Sequence, residues 1–548
     1  MWVETDSPCG VEILGCRARS LAVGGRHYAL VIVEGLTPGA ATPYQVRLDG
    51  AVRWPQPSSP FPPSVLRTPG PEGVRLMVGS CRVGHPHHPP YTLMPRDHPD
   101  GHGPDALEAL ALRMVGETHE RWPHLLLHIG DQVYADELPP VTAALVRRRS
   151  RPGLPRDQAV DLEEYRSLYV ESWSHPTVRW LLSTVGNLMV FDDHEVHDDW
   201  NTSLAWVEEM RARPWWRQRV VSAFASYWLY QHLGNLSAAE ARDDPGLAAA
   251  LDAGDDATAA VLDLAAEAAD HPHRWRWSHA HELPHCRVVV VDSRAARVLE
   301  PERRAMIDGP TEAWMRDRVR GDVDHLLVVS SLPVLLPPAL HHVERWNERV
   351  CAGAWGRAAA RGGERLRQAL DLEHWAAFGR SLHGLVDGIS EVAAGRRGAA
   401  PSSLLLLGGD VHFGYVSRAR WPGSEAATPV HQVVSSPLRN PLLPRLRREL
   451  RPALLPGAAA PARLLARAAG VAPLGVRWRL DCGPWFDNQL ATLEVEGERL
   501  TLRVERAVLT AGGTPALEPL AERRLDAGRP AVGLRYAAPP DAESTADP

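Results

Sequence analysis

Short apolar runs that each stop at a cluster of metal-binding side chains constrain this chain more than any other feature. Leu125-Leu126-Leu127 leads through His128 and Ile129 into Gly130-Asp131-Gln132-Val133-Tyr134-Ala135-Asp136. Asn187-Leu188-Met189-Val190-Phe191 leads into Asp192-Asp193-His194-Glu195, and Leu404-Leu405-Leu406-Leu407 into Gly408-Gly409-Asp410-Val411-His412. Val74-Arg75-Leu76-Met77-Val78 ends in Gly79-Ser80-Cys81-Arg82. A run without polar alternation fits a strand buried on both faces of a parallel sheet. Polar groups just past the carboxyl end of such a strand are where open α/β sheets place their ligands. Helical patterns over residues 105–118, 161–183, 215–233 and 365–393 alternate with these strands, which predicts an α/β domain.

At 548 residues the chain exceeds a single core. Residues 1–68 read as a β-sandwich domain of five or six short strands, like a fibronectin or immunoglobulin sandwich that lacks its first strand. A start codon assigned too late would account for that loss. Residues 72–437 form the α/β domain, and the segment 237–270 reads as a peripheral, partly helical insertion. Residues 438–475 are a Leu/Pro/Arg-rich arm, read most simply as an excursion packing its leucines on the main domain. The other reading is a membrane-surface or partner-binding arm. Residues 476–530 supply strands that complete the α/β domain, and the Pro/Asp/Ser-rich residues 531–548 read as a disordered tail.

The net charge of −7 argues against a nucleic-acid binder. No apolar run approaches the roughly 20 residues that span a bilayer, and no signal region or twin arginine opens the chain. Six scattered cysteines do not make a disulfide framework in a chain this long. A cytoplasmic location is therefore the default expectation.

Asp131 and Tyr134 stand three residues apart in one loop, close enough to converge on a single cation. Tyrosine ligates only where the metal lowers its pKa from about 10 by several units, which favours a trivalent ion such as Fe3+. The ordered set Gly130-Asp131-Gln132-Val133-Tyr134, Asp192-Asp193-His194-Glu195 and Gly409-Asp410-Val411-His412 resembles the motifs of the calcineurin-like metallophosphatases. With Ser80-Cys81-Arg82 ahead and Asp292-Ser293-Arg294 between, it looks like the PhoD-type alkaline phosphatases.

That resemblance implies an αββα sandwich behind an N-terminal β domain, and metal-dependent hydrolysis of phosphate monoesters, diesters or both. It assigns Cys81, Asp131, Tyr134 and His412 to a ferric ion. Asp131 would also bridge to a second site with Asp193 and Asp410, holding Ca2+ or another divalent metal. A histidine ligand that some relatives carry on the strand Val328-Val329-Ser330-Ser331 is missing here. His194 would be the general acid, and Arg82 and Arg294 candidate clamps on phosphate oxygens. His85, His87, His88, His341, His342, Asp371 and Trp375 are candidates for the rim. The substrate would be a small phosphate ester. The competing reading is a catalytically silent protein that docks a partner through its β domain and arginine-rich arm.

Overall fold

The computed structural model describes residues 1–423, 428–455 and 457–526. The tail expected at 531–548 lies outside the described residues. Two sheets organise the chain from Gly73 onward. The first runs in the order Gly186–Met189, Leu125–His128, Gly73–Gly79, Gln489–Glu496, Arg499–Leu509, Pro515–Arg524. Its first three strands are parallel and the rest antiparallel. The second runs His279–Leu283, Cys286–Val291, His325–Ser330, Ser403–Gly408, Val430–Val434, Gly414–Arg420, Arg477–Trp485. Four parallel strands form its centre, from Cys286–Val291 to Val430–Val434.

The unbroken apolar runs are explained by what lies on each face of these strands. Leu76, Val78, Leu127 and Ile129 of the first sheet share one core with Val288, Val290, Leu327, Val329, Leu405 and Leu407 of the second. The alternate residues Met77 and Leu126 turn the other way, onto Leu107, Leu110, Trp180 and Leu181 of flanking helices. Val289, Leu326, Val328, Leu404 and Leu406 likewise meet Leu382, Leu385 and Ile389 of the helix Gly379–Ala393. Side chains of period two therefore find apolar partners on both sides, and the layers run helix, sheet, sheet, helix.

Register then positions the loops. Gly79 stands opposite His128 and His128 opposite Met189, so three parallel strands of the first sheet end at one level. Val291 opposes Ser330, and Gly408 opposes Val434 in the second sheet.

Between Trp2 and Arg67 there are nine short strands rather than five or six. The surplus comes from two-residue hairpins with positive φ at both turn positions, at Leu14-Gly15 and Asp49-Gly50. Leu-Gly lacks the Asn or Asp that usually precedes glycine in such a turn. Val11, Ile13, Ala29, Val31, Tyr44 and Val46 form the core of this region.

Two expected helices are broken. The pattern over 161–183 divides into Leu162–Trp173 and Pro176–Thr184, because Pro176 cannot continue a helix and starts a new one instead. The pattern over 365–393 divides into Arg357–Ala369 and Gly379–Ala393, and the residues between them reach the loop cluster described below. The edge strand His279–Leu283 pairs antiparallel with Cys286–Val291. The arm forms two helices, Pro444–Leu454 and Ala459–Ala468; Leu450 packs on the main domain against Phe413 and Tyr415, but most of the leucines around it do not. Leu443, Leu446, Leu455, Leu464 and Leu465 are all exposed.

Candidate active site

The loops leaving the parallel strands bring the expected residues to one edge of the two sheets. Cys81 follows Gly73–Gly79, Asp131 and Tyr134 follow Leu125–His128, Asp193 and His194 follow Gly186–Met189, and Asp410 and His412 follow Ser403–Gly408. Cys81, Asp410 and His412 each hold a positive φ, of 56°, 64° and 54°. A left-handed non-glycine backbone costs on the order of 1–3 kcal/mol, and such residues concentrate where a site demands a particular aim. Two motif glycines are needed for closeness. A Cβ on Gly409 would stand 2.4 Å from Ser80 Oγ, and one on Gly130 would stand 2.9 Å from Ser80 Cβ.

Several acid oxygens gathered here lack a partner. Asp131 Oδ2 and Tyr134 Oη are buried without a hydrogen bond, as is Asp192 Oδ2. Burial, then Asp192, raises the Asp131 carboxyl well above its ordinary value. Burial, then Asp131 and Cys81, does the same to the Tyr134 phenol, and burial, then Asp131 and Asp410, to the Cys81 thiol. Groups that strain against ionisation so close together suit a cation that would hold them as anions. His412 fits the same purpose, since its Nδ1–H donates to the Asn440 carbonyl at 2.7 Å and leaves Nε2 as the free lone pair. Ligand atoms of Asp131, Asp192, Asp193 and Asp410 all lie within 4.8 Å of one another, as do those of Asp131, Asp193 and His194. Neither Cys81 nor His412 joins such a group among the described residues.

Arg294 lies inside this acidic cluster. Its side chain is fully buried, donating from Nε to Asp192 Oδ1 at 2.7 Å, with Nη2 at 3.3 Å from Asp193 Oδ1 and 3.4 Å from Asp410 Oδ1. Nη1 pairs with Glu373, which also pairs with Arg297 at 2.9 Å. The guanidinium is therefore an internal counter-ion and does not present itself to solvent as a clamp. Arg82 is also buried, donating to Asp105 Oδ2 at 2.8 Å and to the Ser172 carbonyl at 2.8 Å. It anchors the loop after Gly79 and faces away from solvent.

His194 Nδ1–H donates to Asp136 Oδ1 at 2.9 Å, and its Nε2 lies 3.6 Å from the exposed Asp198. Burial alone would lower this imidazole's pKa. The carboxylates of Asp136, Asp193 and Asp131 outweigh it and raise the pKa well above the ordinary value. Its ring also lies 4.5 Å from that of Tyr134.

Of the rim candidates, His341 is buried against Trp478 and Trp375 donates to Ser330 Oγ inside the core, so neither lines an opening. His87 stacks on His175 and pairs with Glu108, and His342 meets Arg463 of the arm. Three contributors escaped the sequence. Asp136 stands in the leading motif itself, yet only the fold shows that it faces His194. Glu373 and His374 fall in the break of the pattern over 365–393. His374 donates to Glu344 Oε1 at 2.7 Å and points Nε2 at Asp410 Oδ2, 3.6 Å away. A cavity of about 890 Å3 lies elsewhere, between the N-terminal strands and the α/β domain, and contains none of these residues.

Residues 1–66 match a domain of unknown function (DUF7800), and residues 106–451 match the PhoD-like phosphatase family. No curated protein matches the chain. A solved structure titled "Structure of PhoD" is similar at a TM-score of 0.53 and 12% identity, with 97% of this chain and 86% of that one covered. At that identity the likeness speaks for the fold, and the family match spans well over half of the sequence. The chain belongs to the PhoD-like phosphatase family.

Proposed function

We propose that the protein is a metal-dependent phosphate-ester hydrolase that acts on monoesters, diesters or both. The observation that carries this reading is the set of buried, unpartnered acid oxygens on Asp131, Tyr134 and Asp192, gathered at the carboxyl ends of parallel strands. Read with the family, the layered sheets are a metallophosphatase-type sandwich. Cys81, Asp131, Tyr134 and His412 would hold Fe3+, their anionic donors suiting a strongly Lewis-acidic ion. Asp131, Asp193 and Asp410 would hold Ca2+, an oxygen-only environment that suits a hard cation. Arg294 already faces Asp193 and Asp410, so a second cation would share those carboxylates with the guanidinium. Cations bound there supply an activated water and offset charge on the phosphoryl oxygens.

The chain's own contribution is proton delivery and positioning. Asp136 fixes the His194 ring through Nδ1, and its carboxylate favours the protonated imidazole. Nε2–H is left to protonate the departing alkoxide, the role of a general acid. Glu373 and Arg297 steady Arg294 from behind, and Glu344 orients His374 towards Asp410.

A panel of phosphate mono- and diesters, assayed on purified protein with iron and calcium supplied, tests the reading. Turnover of at least one class, lost on metal removal, is expected. No turnover of any ester by metal-replete protein would contradict it.

A further inference from the structure

From the geometry and charge of the arm, we infer that residues 443–455 and 457–467 form a docking surface for an anionic phospholipid bilayer. Its second helix, Ala459–Ala468, is built the reverse of a soluble amphipathic helix. It buries Ala462 and Ala466 and turns Leu464 and Leu465 to solvent, at 64% and 37% exposure. The first helix, Pro444–Leu454, buries no residue at all, and Leu443, Leu446 and Leu455 extend the apolar surface around it. Trp355, itself exposed, donates from its indole nitrogen to the Ala468 carbonyl at 3.3 Å, beside the leucines. Tryptophan next to aliphatic side chains is the pairing favoured where protein meets the headgroup region.

Charge selects the occupant. Arg445, Arg447, Arg448, Arg451, Arg463 and Arg467 are all exposed on these two helices, against the single acid Glu449. The whole chain carries −7, so this dense local excess of cations stands against the overall sign. Exposed arginines flanking outward leucines match a surface that is anionic at its face and apolar beneath it. Among the described residues no helix is long and apolar enough to cross a membrane, so the attachment is peripheral.

The arm is continuous with the site. Asn440, whose carbonyl holds His412, precedes it by a few residues, and Leu450 packs against the cluster of Phe413, Tyr415 and Val434, on which Val411, lying between Asp410 and His412, also packs. Docking would therefore set the loop cluster next to the lipid surface.

Flotation of the full chain with vesicles tests this, comparing vesicles rich in phosphatidylglycerol with pure phosphatidylcholine. Binding to the anionic vesicles should exceed binding to the neutral ones by about tenfold or more and weaken as salt is raised. The triple variant Arg445→Gln, Arg448→Gln, Arg451→Gln and the double variant Leu464→Ser, Leu465→Ser should each lose about tenfold in binding while hydrolysing a soluble ester at the parental rate. Equal binding to both vesicle types, or binding untouched by either variant, overturns the inference. A concentration-dependent dimer abolished by the leucine variant, with no vesicle binding, would instead assign the face to a second copy of the chain.

Discussion

His194 and Asp136 form a largely buried pair, Nδ1 to Oδ1 at 2.9 Å, with the Asp136 carboxylate also accepting the Asp198 backbone N–H at 2.6 Å. The second contact keeps the carboxylate from rotating away, so the protonated ring is held in one orientation with Nε2–H directed outward. If this pair is the acid of the reaction, its members act as a unit. Asp136→Asn should therefore lower kcat/KM for an alkyl phosphate ester, and adding His194→Ala to it should cost little more. Fully additive losses would show that Asp136 acts elsewhere.

The leaving group gives a sharper reading of His194. His194→Ala should slow an alkyl ester by roughly 10²–10⁴, the range for a general acid, and a nitrophenyl ester far less. Metal content, measured on the same samples, should not change. Equal losses on both esters accompanied by metal loss would make His194 a ligand or a structural residue.

Tyr134 offers a spectroscopic test. A phenolate on ferric iron gives a charge-transfer band in the visible, so aerobically purified protein should be pink to violet. Tyr134→Phe should bleach the band while circular dichroism stays unchanged. Colourless parental protein containing stoichiometric zinc and no iron would contradict the ferric assignment.

Arg82 and Asp105 make a stability test in the loop that carries Cys81, since both side chains are buried and joined at 2.7 Å. Removing one member of a buried pair strands the other charge, so Asp105→Ala should cost about 3–5 kcal/mol in chemical denaturation. Burial opposes ionisation of Asp105. Arg82 and His87 outweigh it and hold its pKa below the ordinary carboxylate range. A depressed pKa contributes stability above the unfolded value of about 3.9, and that stability is lost as pH falls further towards the folded value. Parental protein should therefore lose this increment on acidification below about pH 4, and the variant should have none of it to lose.

The proposed ligands could be read from the chain because each follows a buried strand directly, and a strand end fixes where the next few residues go. Asp136 could be seen in the motif but not assigned, since its distance from His194 depends on the loops of two neighbouring strands. Glu373 and His374 were hidden for another reason. Residues 365–369 and 379–393 both carry helical periodicity, and a short break between two periodic stretches leaves no signal of its own. The burial of Arg294 was equally out of reach, because a guanidinium on a loop reads the same whether it meets solvent or four carboxylates. In the arm, composition showed leucine and arginine together, but which face each helix would bury is a property of the packed structure.

The measurement closest to the central claim is turnover of a phosphate ester before metal stripping, after it, and after return of iron and calcium. Hydrolysis should vanish when the cations are removed, return only when they are restored, and resist calcium-selective chelation in no preparation of the parental protein. Full activity in metal-free protein would contradict the account, because the buried acids of Asp131, Tyr134 and Asp192 would then need another explanation.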